Sequence, residues 1–568
     1  YDTVLYASPF YGGNDGVSGS DGFIDEELTV AYEIYNGSST TENVDTTLKY
    51  HYGVRGKSVE IDMSTSHTKT VDVPSFWTKG LVRNIDTSTD YYKIQHAIDN
   101  ASADDTLHIW AWTYYETIDV DVKVTIVGNG TGNTTLDGES STDYVVDIET
   151  DDVTIKSLKI INGNSYSIML VAIDDITLEN IVVHNSGNWG IYAGISEDLE
   201  ILNSVVSSSE GGIYSGYSTT IKDSNVIDNN NYGIYVSGPD IKVENSTVSG
   251  TTCNGSCSIN GHGMYIGGNS AFIYNNTISN NSGIGILSGS LYSNFVNNRV
   301  VDNGGHGIKT LDGDYQKIIR NHLLRNTNSG LYIDRVFNYC KVEDNTIGNN
   351  DEYGIVLHSA SYNYLWNNTL YSNDLKDLQV ETQSSSNFAI GTTFSSIGVD
   401  GSSDLTIREY FVLDVNDASG DNMSGIDIKV MEDDTQKYAS SYFGGSDPKT
   451  DSYGTIETFL IDFMIYNGSS TPTTIPTYVS ARSHDWVETF TSDPSSTIQI
   501  TVPDLRVQNT RTGTLTYHIQ TTIDDASEGD TIRAWAGTYY ENLEIEEEIT
   551  IEGNGTSTVI NGTYTDEV

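Results

Sequence analysis

The sequence predicts an all-β protein in which a parallel β-helix alternates with β-sandwich domains. Three observations lead there. Between Asn276 and Asn373 the motif Asn-x-(Ile/Val/Leu)-x-x-Asn occurs five times, starting at Asn276, Asn298, Asn321, Asn345 and Asn368, in steps of 22, 23, 24 and 23 residues. Each copy is followed by a Gly-apolar pair or its remnant, a series that runs from Gly190-Ile191 through Gly212-Ile213, Gly233-Ile234, Gly263-Met264, Gly285-Ile286, Gly307-Ile308 and Gly330-Leu331 to Gly354-Ile355. On either side of the series the chain reads as short alternating strands punctuated by Gly- and Asn-rich turns.

A unit of about 22 residues with two or three short strands has one apolar side and no core of its own, so it must stack on copies of itself, about 4.8 Å apart. Asparagines at one turn position then form a column in which each amide donates to one neighbour and accepts from another. Ile286, Ile308, Leu331 and Ile355 fall on the inside of the same stack. Leucine-rich repeats share the period but need Leu at fixed spacings, and the inward positions here mix Val, Ile and Leu.

In chain order, residues 1–88 read as a partial Ig-like sandwich, with turns at Gly12-Gly13-Asn14-Asp15-Gly16 and Asn36-Gly37. Ser88-Thr89-Asp90 offers a helix cap, and Ile94, Ala97, Ile98 and Ala101 sit at helical spacing, predicting a short helix that covers the open end of the stack. The β-helix occupies 89–402, about 11 or more coils. A second Ig-like sandwich follows at 403–507, and a second β-helix starts within 508–568.

That last assignment rests on a large internal repeat. Ile94-Gln-His-Ala-Ile-Asp99, Trp110-Ala-Trp-Thr-Tyr-Tyr-Glu116 and Gly128-Asn-Gly-Thr131 recur 425 residues on as Ile519-Gln-Thr-Thr-Ile-Asp524, Trp535-Ala-Gly-Thr-Tyr-Tyr-Glu541 and Gly553-Asn-Gly-Thr556. Tyr35-Asn-Gly-Ser-Ser39 likewise returns as Tyr466-Asn-Gly-Ser-Ser470. Aligned on this repeat, both ends of the sequence fall inside domains, and Tyr1 is not an initiator; the expectation is a window on a longer tandem array.

With 79 acidic against 28 basic residues and a net charge of −51, the chain repels nucleic acid and anionic membranes. No apolar run is long enough to span a bilayer. No cofactor motif is present, and the acidic surface suits surface calcium at most; Gly128-Asn-Gly-Thr-Gly132 lacks the Lys-Ser/Thr of a phosphate loop and reads as a turn. Cys253 and Cys257 lie four apart in an insertion that lengthens one coil and read as a loop disulfide, which implies an oxidising compartment. A metal pair completed by His262 has no fourth ligand. Cys340 reads as a buried thiol. Thirteen Asn-x-Ser/Thr sequons would accept glycans outside a cell: Asn36, Asn100, Asn129, Asn133, Asn245, Asn254, Asn275, Asn280, Asn367, Asn422, Asn467, Asn554 and Asn561.

The run from Ile94-Gln-x-Ala-Ile-Asp through Asp105-Thr-Leu-His-Ile and Thr113-Tyr-Tyr-Glu116 to Val124-Thr-Ile-Val-Gly-Asn-Gly130 and Leu136-Asp-Gly138 resembles the NosD-like right-handed β-helix proteins. The resemblance covers residues 90–392 and 508–568 and implies a secreted or cell-surface protein of archaea. Asp414-Val-Asn-Asp-Ala-Ser-Gly420, Gly425-Ile-Asp-Ile-Lys-Val and Asp451-Ser-Tyr-Gly454 resemble carboxypeptidase-regulatory-like or Ig-like modules. Such solenoids carry lyases, hydrolases, epimerases, tailspikes and surface proteins alike, so the resemblance implies fold more than activity.

Two groups of residues are candidates for chemistry. Asp302, Arg325, Arg299, His322, His306 and Lys309 form the one locally basic patch, and a lyase would use an Arg base there beside calcium-binding carboxylates such as Asp302, Asp312 and Asp314. The alternative is an ion pair between coils, with no catalysis. Tyr192, Tyr214, Tyr235 and Tyr265 follow the inward residue of four consecutive coils and would form an outward aromatic column, as scaffold, as a contact for a neighbouring copy or module, or as a sugar platform. The resulting expectation is a non-enzymatic extracellular structural protein of a surface layer, sheath, filament or stalk, with a polysaccharide lyase or hydrolase, or a glycan-binding adhesin, as the alternatives.

Overall fold

The computed structural model describes residues 33–34, 42–43, 46–52, 55–61, 82–253, 261–335, 339–417, 420–481, 486–490, 497–501, 507–516 and 518–562. The chain divides into two compact units, Tyr1–Leu287 and Ser288–Val568.

In the first unit, the region expected to be a partial sandwich contributes two antiparallel pairs, Glu33–Ile34 with Glu42–Asn43 and Thr46–Tyr52 with Arg55–Ile61. Most of the rest of it lies outside the described residues. The coils start at Asp105–Ile109, which pairs antiparallel with Val82–Asn84 on one side and parallel with Val124–Gly128 on the other. From there each coil contributes a strand to each of three parallel sheets, here termed faces A, B and C.

Strict register puts like on like. On face A, Leu107, Ile126, Ile155, Leu178, Ile201, Ile221, Val243 and Ile273 lie one above another. On face B the inward column is Leu136, Ile160, Val183, Val206, Val226, Val248 and Ile278. On face C it is Val146, Ile168, Ile191, Ile213, Ile234 and Met264. All of these side chains are fully buried, which explains why branched aliphatics recur once per face at the repeat period. The second unit has the same three columns, such as Phe295, Ile318, Val342 and Leu365 on face A and Ile308, Leu331, Ile355 and Leu378 on face C.

The chain bends between faces through residues of left-handed φ, chiefly Asn, Asp and Ser, which tolerate it because their short polar side chains bond locally. At one set of bends the residue that follows turns inward and is polar, as at Ser204, Ser224, Asn298 and Asn321. In the second unit Asn298 donates from its backbone N and from Nδ2 to Oδ1 of Asn321, at 2.9 and 3.0 Å. Asn321 does the same to Asn345, and Asn345 to Asn368. The last Asn of each motif builds a second ladder, Asn303, Asn326, Asn350 and Asn373. Asn276, in the first unit, accepts from Ser246 N and donates to Val243 O at 2.7 Å. Upstream the same corner is held by serines: Ser204 N donates to Ser224 Oγ, and Ser224 N to Ser246 Oγ.

The capping helix is short, Ile94–Ile98, and buries Ile94, Ala97 and Ile98 on the first coil. Its cap differs from the expectation. Thr89–Tyr91 is a strand paired with Val82–Asn84, and the free amides of Ile94 and Gln95 are taken by the Glu116 carboxylate from the following coil. A carboxylate reaching in from a neighbouring element satisfies the helix start as well as a local Ser or Asp does.

The second unit shows no break at the expected 402/403 boundary. Strand Asp404–Phe411 pairs parallel with Asn387–Ile390 of the last coil and antiparallel with Phe459–Asn467, with a register shift at Ile407/Arg408. Leu413–Asn416 with Ile498–Thr501, and Ile428–Glu432 with Thr435–Ala439 and Thr477–Ala481, then enclose one core that includes Phe411, Val415, Ile428, Val430, Val479 and Ile500.

After that core the start of the coils is rebuilt atom for atom. Asn84 donates to Asp105 at 2.7 Å, and Asn509 to Asp530 at 2.7 Å. Glu541 accepts from Ile519 N and Gln520 N as Glu116 does from Ile94 and Gln95. Gln95 exchanges bonds with the Asp119 backbone, and Gln520 with that of Glu544. Tyr114 and Tyr539 each close a bond of 3.0 Å to the carbonyl four residues back.

Candidate functional site

The basic patch in the second unit straddles a bend. Asp302 and Arg325 are the left-handed residues of successive bends between faces B and C, with φ of 58° and 54°. Arg325 grips Asp302 through Nε to Oδ1 and Nη2 to Oδ2, both 2.7 Å. This hydrogen-bonded carboxylate pushes the guanidinium pKa further up, so Arg325 stays protonated and cannot serve as a base. Arg299 and His322 are in register on face B with their side chains exposed.

His306 is half-buried. Its Nδ1 accepts from Ser329 N at 3.1 Å, and its ring lies 4.8 Å from that of Tyr332. Burial, reinforced by the charge of Lys309, holds its pKa down at about 4, so the imidazole is neutral with its Nδ1 lone pair engaged. His262, in the first unit, repeats the arrangement: Nδ1 accepts from Ile284 N at 3.0 Å, and burial lowers its pKa to about 4. Lys309 sits on face C with Nζ 4.7 Å from the Tyr332 ring and 3.9 Å from Asp334. Asp312 pairs with Arg335 at 3.5 Å. The six candidates are therefore spread over two faces and a bend, each with its own partner or solvent, and do not converge on a common point. Among the described residues no group of three or more His, Cys, Asp or Glu side chains could hold a metal ion.

The tyrosine column in the first unit is a stack. Tyr192, Tyr214, Tyr235 and Tyr265 are paired in register on face C, with ring centroids 4.9, 5.3 and 4.5 Å apart and planes within 16°. Tyr166 extends it at 4.9 Å. Burial and the neighbouring phenols push the pKa values of Tyr192 and Tyr235 up. Beside it runs a second column that the sequence reading did not single out. Trp189 and Tyr232 precede the glycines of their coils, and between them Gly211 leaves a slot into which the Trp189 indole settles, 2.4 Å from where a Cβ would stand. Trp189 thus packs against Tyr214 at 5.4 Å, and Tyr232 against Tyr235 at 5.2 Å. The signal was present as an aromatic residue or His just before Gly190, Gly233 and Gly263.

A third aromatic series was also missed. Tyr292, Tyr315, Tyr339 and Tyr362 recur as Tyr-x-Asn, Tyr-x-Lys, Tyr-x-Lys and Tyr-x-Tyr at the repeat period, and they occupy the bend between faces C and A.

Cys253 is disulfide-bonded and Cys340 is a buried free thiol, its pKa pushed up to about 12 by burial. Cys257, Asn36 and Asn254 lie outside the described residues; the other sequon asparagines are all exposed.

The family model described as the right handed beta helix region matches residues 129–261 and 255–394. This stretch of the chain is a right-handed parallel β-helix. No curated protein is significantly similar to it in sequence. Among solved structures, the β-helix is similar to the A-module of mannuronan C-5 epimerase AlgE6 of Azotobacter vinelandii, at 15% identity, over 53% of this chain and 93% of that one, with a TM-score of 0.45. It is also similar to the Dettilon tailspike protein, at 14% identity over 68% and 76% with a TM-score of 0.42. For the periplasmic alginate epimerase AlgG the values are 12%, 52%, 87% and 0.34. Likeness at this level says nothing about activity. No described helix of the β-helix protein is long and apolar enough to cross a membrane.

Proposed function

We propose that this chain is an extracellular structural protein assembled from tandem β-helix modules, a component of a surface layer, sheath, filament or stalk. The observation that carries the reading is the rebuilt start: the bonds of Asn84, Gln95 and Glu116 recur at Asn509, Gln520 and Glu541 within one polypeptide. A diffusible enzyme has no need of a second helix start after an intervening antiparallel module; a chain that extends by repetition does. The locked Asp302–Arg325 pair and the neutral, engaged His306 support a scaffold over a lyase. Exposed sequons and a disulfide at Cys253 fit an oxidising, extracellular setting. The archaeal cell surface rests on the NosD-like resemblance alone.

The partners follow from the same reading: further copies or adjacent modules, for which the stacked Tyr192 to Tyr265 face is the candidate contact. The test is the mass of the native polypeptide together with electron microscopy of the purified material. Fibres or sheets with a repeat of one module are expected. A discrete monomer that depolymerises an acidic polysaccharide, and loses that activity with Asp302→Asn and Arg325→Ala together, would overturn the proposal in favour of an enzyme.

A further inference from the structure

On face A of the second unit a groove of 540 Å³ has Tyr292, Tyr315 and Tyr339 along one wall and Lys317, Lys341 and Trp366 among its lining. The wall is a ladder: the Tyr292 and Tyr315 rings stack at 5.1 Å and 7°, and those of Tyr315 and Tyr339 at 5.9 Å and 27°. All three tyrosines are exposed.

The backbone at this bend does not call for tyrosine. Tyr292, Tyr315 and Tyr339 have φ of 57°, 58° and 53°, a region that bulky side chains rarely adopt. The left-handed position of this bend in the first unit is taken by Asp152, Asp175, Asp198, Asp240 and Ser270, at φ of 60°, 59°, 51°, 56° and 63°, small polar residues that tolerate the conformation. Replacing aspartate by an exposed aromatic ring in successive coils works against local preference, so the reason for it lies in the side chain.

The second wall sharpens the reading. Lys317 and Lys341 are in register on adjacent strands, with Asn294 before and Tyr364 after. Like charges paired across strands repel. Lys341 has Glu343 at 2.8 Å and the Trp366 ring at 5.5 Å, but Lys317 makes no ion pair among the described residues. In a chain with 79 acidic and 28 basic residues, tyrosine takes the left-handed position just before the face A strand in successive coils, and paired lysines stand beside it.

We infer that this groove binds an acidic polysaccharide, a chain of uronic-acid units laid along the stack. The tyrosine ladder offers apolar ring edges and phenol oxygens to sugar C–H groups and hydroxyls, and Lys317 and Lys341 take the carboxylates. Coils rise about 4.8 Å apiece, close to the length of one pyranose ring, so successive coils meet successive sugars. An acidic peptide would satisfy the lysines but make no use of a repeating aromatic rail. The site is separate from the Tyr192 to Tyr265 face and does not depend on the tandem-module reading.

The experiment is isothermal titration of the purified full chain with oligogalacturonate. Binding is expected at low salt, weakening as salt rises, and falling about tenfold or more for the methyl-esterified oligomer. Lys317→Gln is expected to weaken it about tenfold, and so is Tyr315→Asp, which restores the residue used at this bend in other coils. Lys222→Gln, at an exposed lysine of the first unit, leaves affinity unchanged. The inference is overturned by absence of binding, by equal affinity for the methyl ester, by polyglutamate binding as tightly as oligogalacturonate, or by unchanged affinity in the Lys317→Gln protein.

Discussion

Arg325 and Asp302, 23 residues apart in sequence, face each other across one coil with two parallel hydrogen bonds of 2.7 Å. Both side chains are more than a third exposed, so water and salt screen the pair and its net worth is small. Asp302→Asn is expected to lower stability by less than about 1 kcal/mol, less still at high salt. Denaturant unfolding at two ionic strengths checks this, and a loss of several kcal/mol would mean that the bend depends on the pair.

The buried ladder behaves oppositely. Asn345 accepts from the backbone N and Nδ2 of Asn321 and donates onward to Asn368 and to Ile318 O. Asn345→Ala leaves a buried N–H and a carbonyl without partners, at a cost of about 1–3 kcal/mol for each strongly desolvated group. Chemical denaturation should show a shift well beyond that of Asp302→Asn.

How far each feature could be read from sequence follows from how local its cause is. The Asn columns and the Asp302–Arg325 pair were legible because register stacks identical motif positions, so spacing alone places them. The 425-residue repeat was legible for the same reason. The helix start was misread because its cap is a Glu116 carboxylate from another element. His306 stood among the candidates for chemistry, yet its state is decided by Ser329 and Tyr332, which only the next coil supplies. The Tyr292 to Tyr362 series was passed over because tyrosine at a left-handed bend carries no turn signal.

Asp147 lies in register with Asp119 on face C, and burial, followed by the charges of Glu149 and Asp119, raises its pKa from 3.8 to about 6. A carboxyl whose folded pKa is raised holds its proton longer in the native state, so its contribution falls as pH rises from 3.8 to about 6 and stays unfavourable above. Asp147→Asn should therefore raise the thermal midpoint at pH 7, by a free energy on the order of 1–3 kcal/mol, and have no such effect near pH 3.5. Calorimetry at the two pH values checks the sign.

His262 and His306 have depressed pKa values of about 4. Their contribution to stability is complete above the unfolded value of 6.5 and is lost as pH falls toward 4. Both imidazoles should remain neutral at pH 5.5 by NMR; a midpoint near 6.5 for His306 would contradict its bond from Ser329 N.

Strand Asp404–Phe411 belongs at once to the last coil and to the antiparallel module that follows, bonded to Asn387–Ile390 on one edge and Phe459–Asn467 on the other. Tension applied along this strand loads the ladders on both its edges together instead of peeling one bond after another, and no slack linker lies between coil and module to take up the strain. A chain joined in this way transmits a pull from β-helix to module as a continuous element, which is the behaviour required of a mechanical tie.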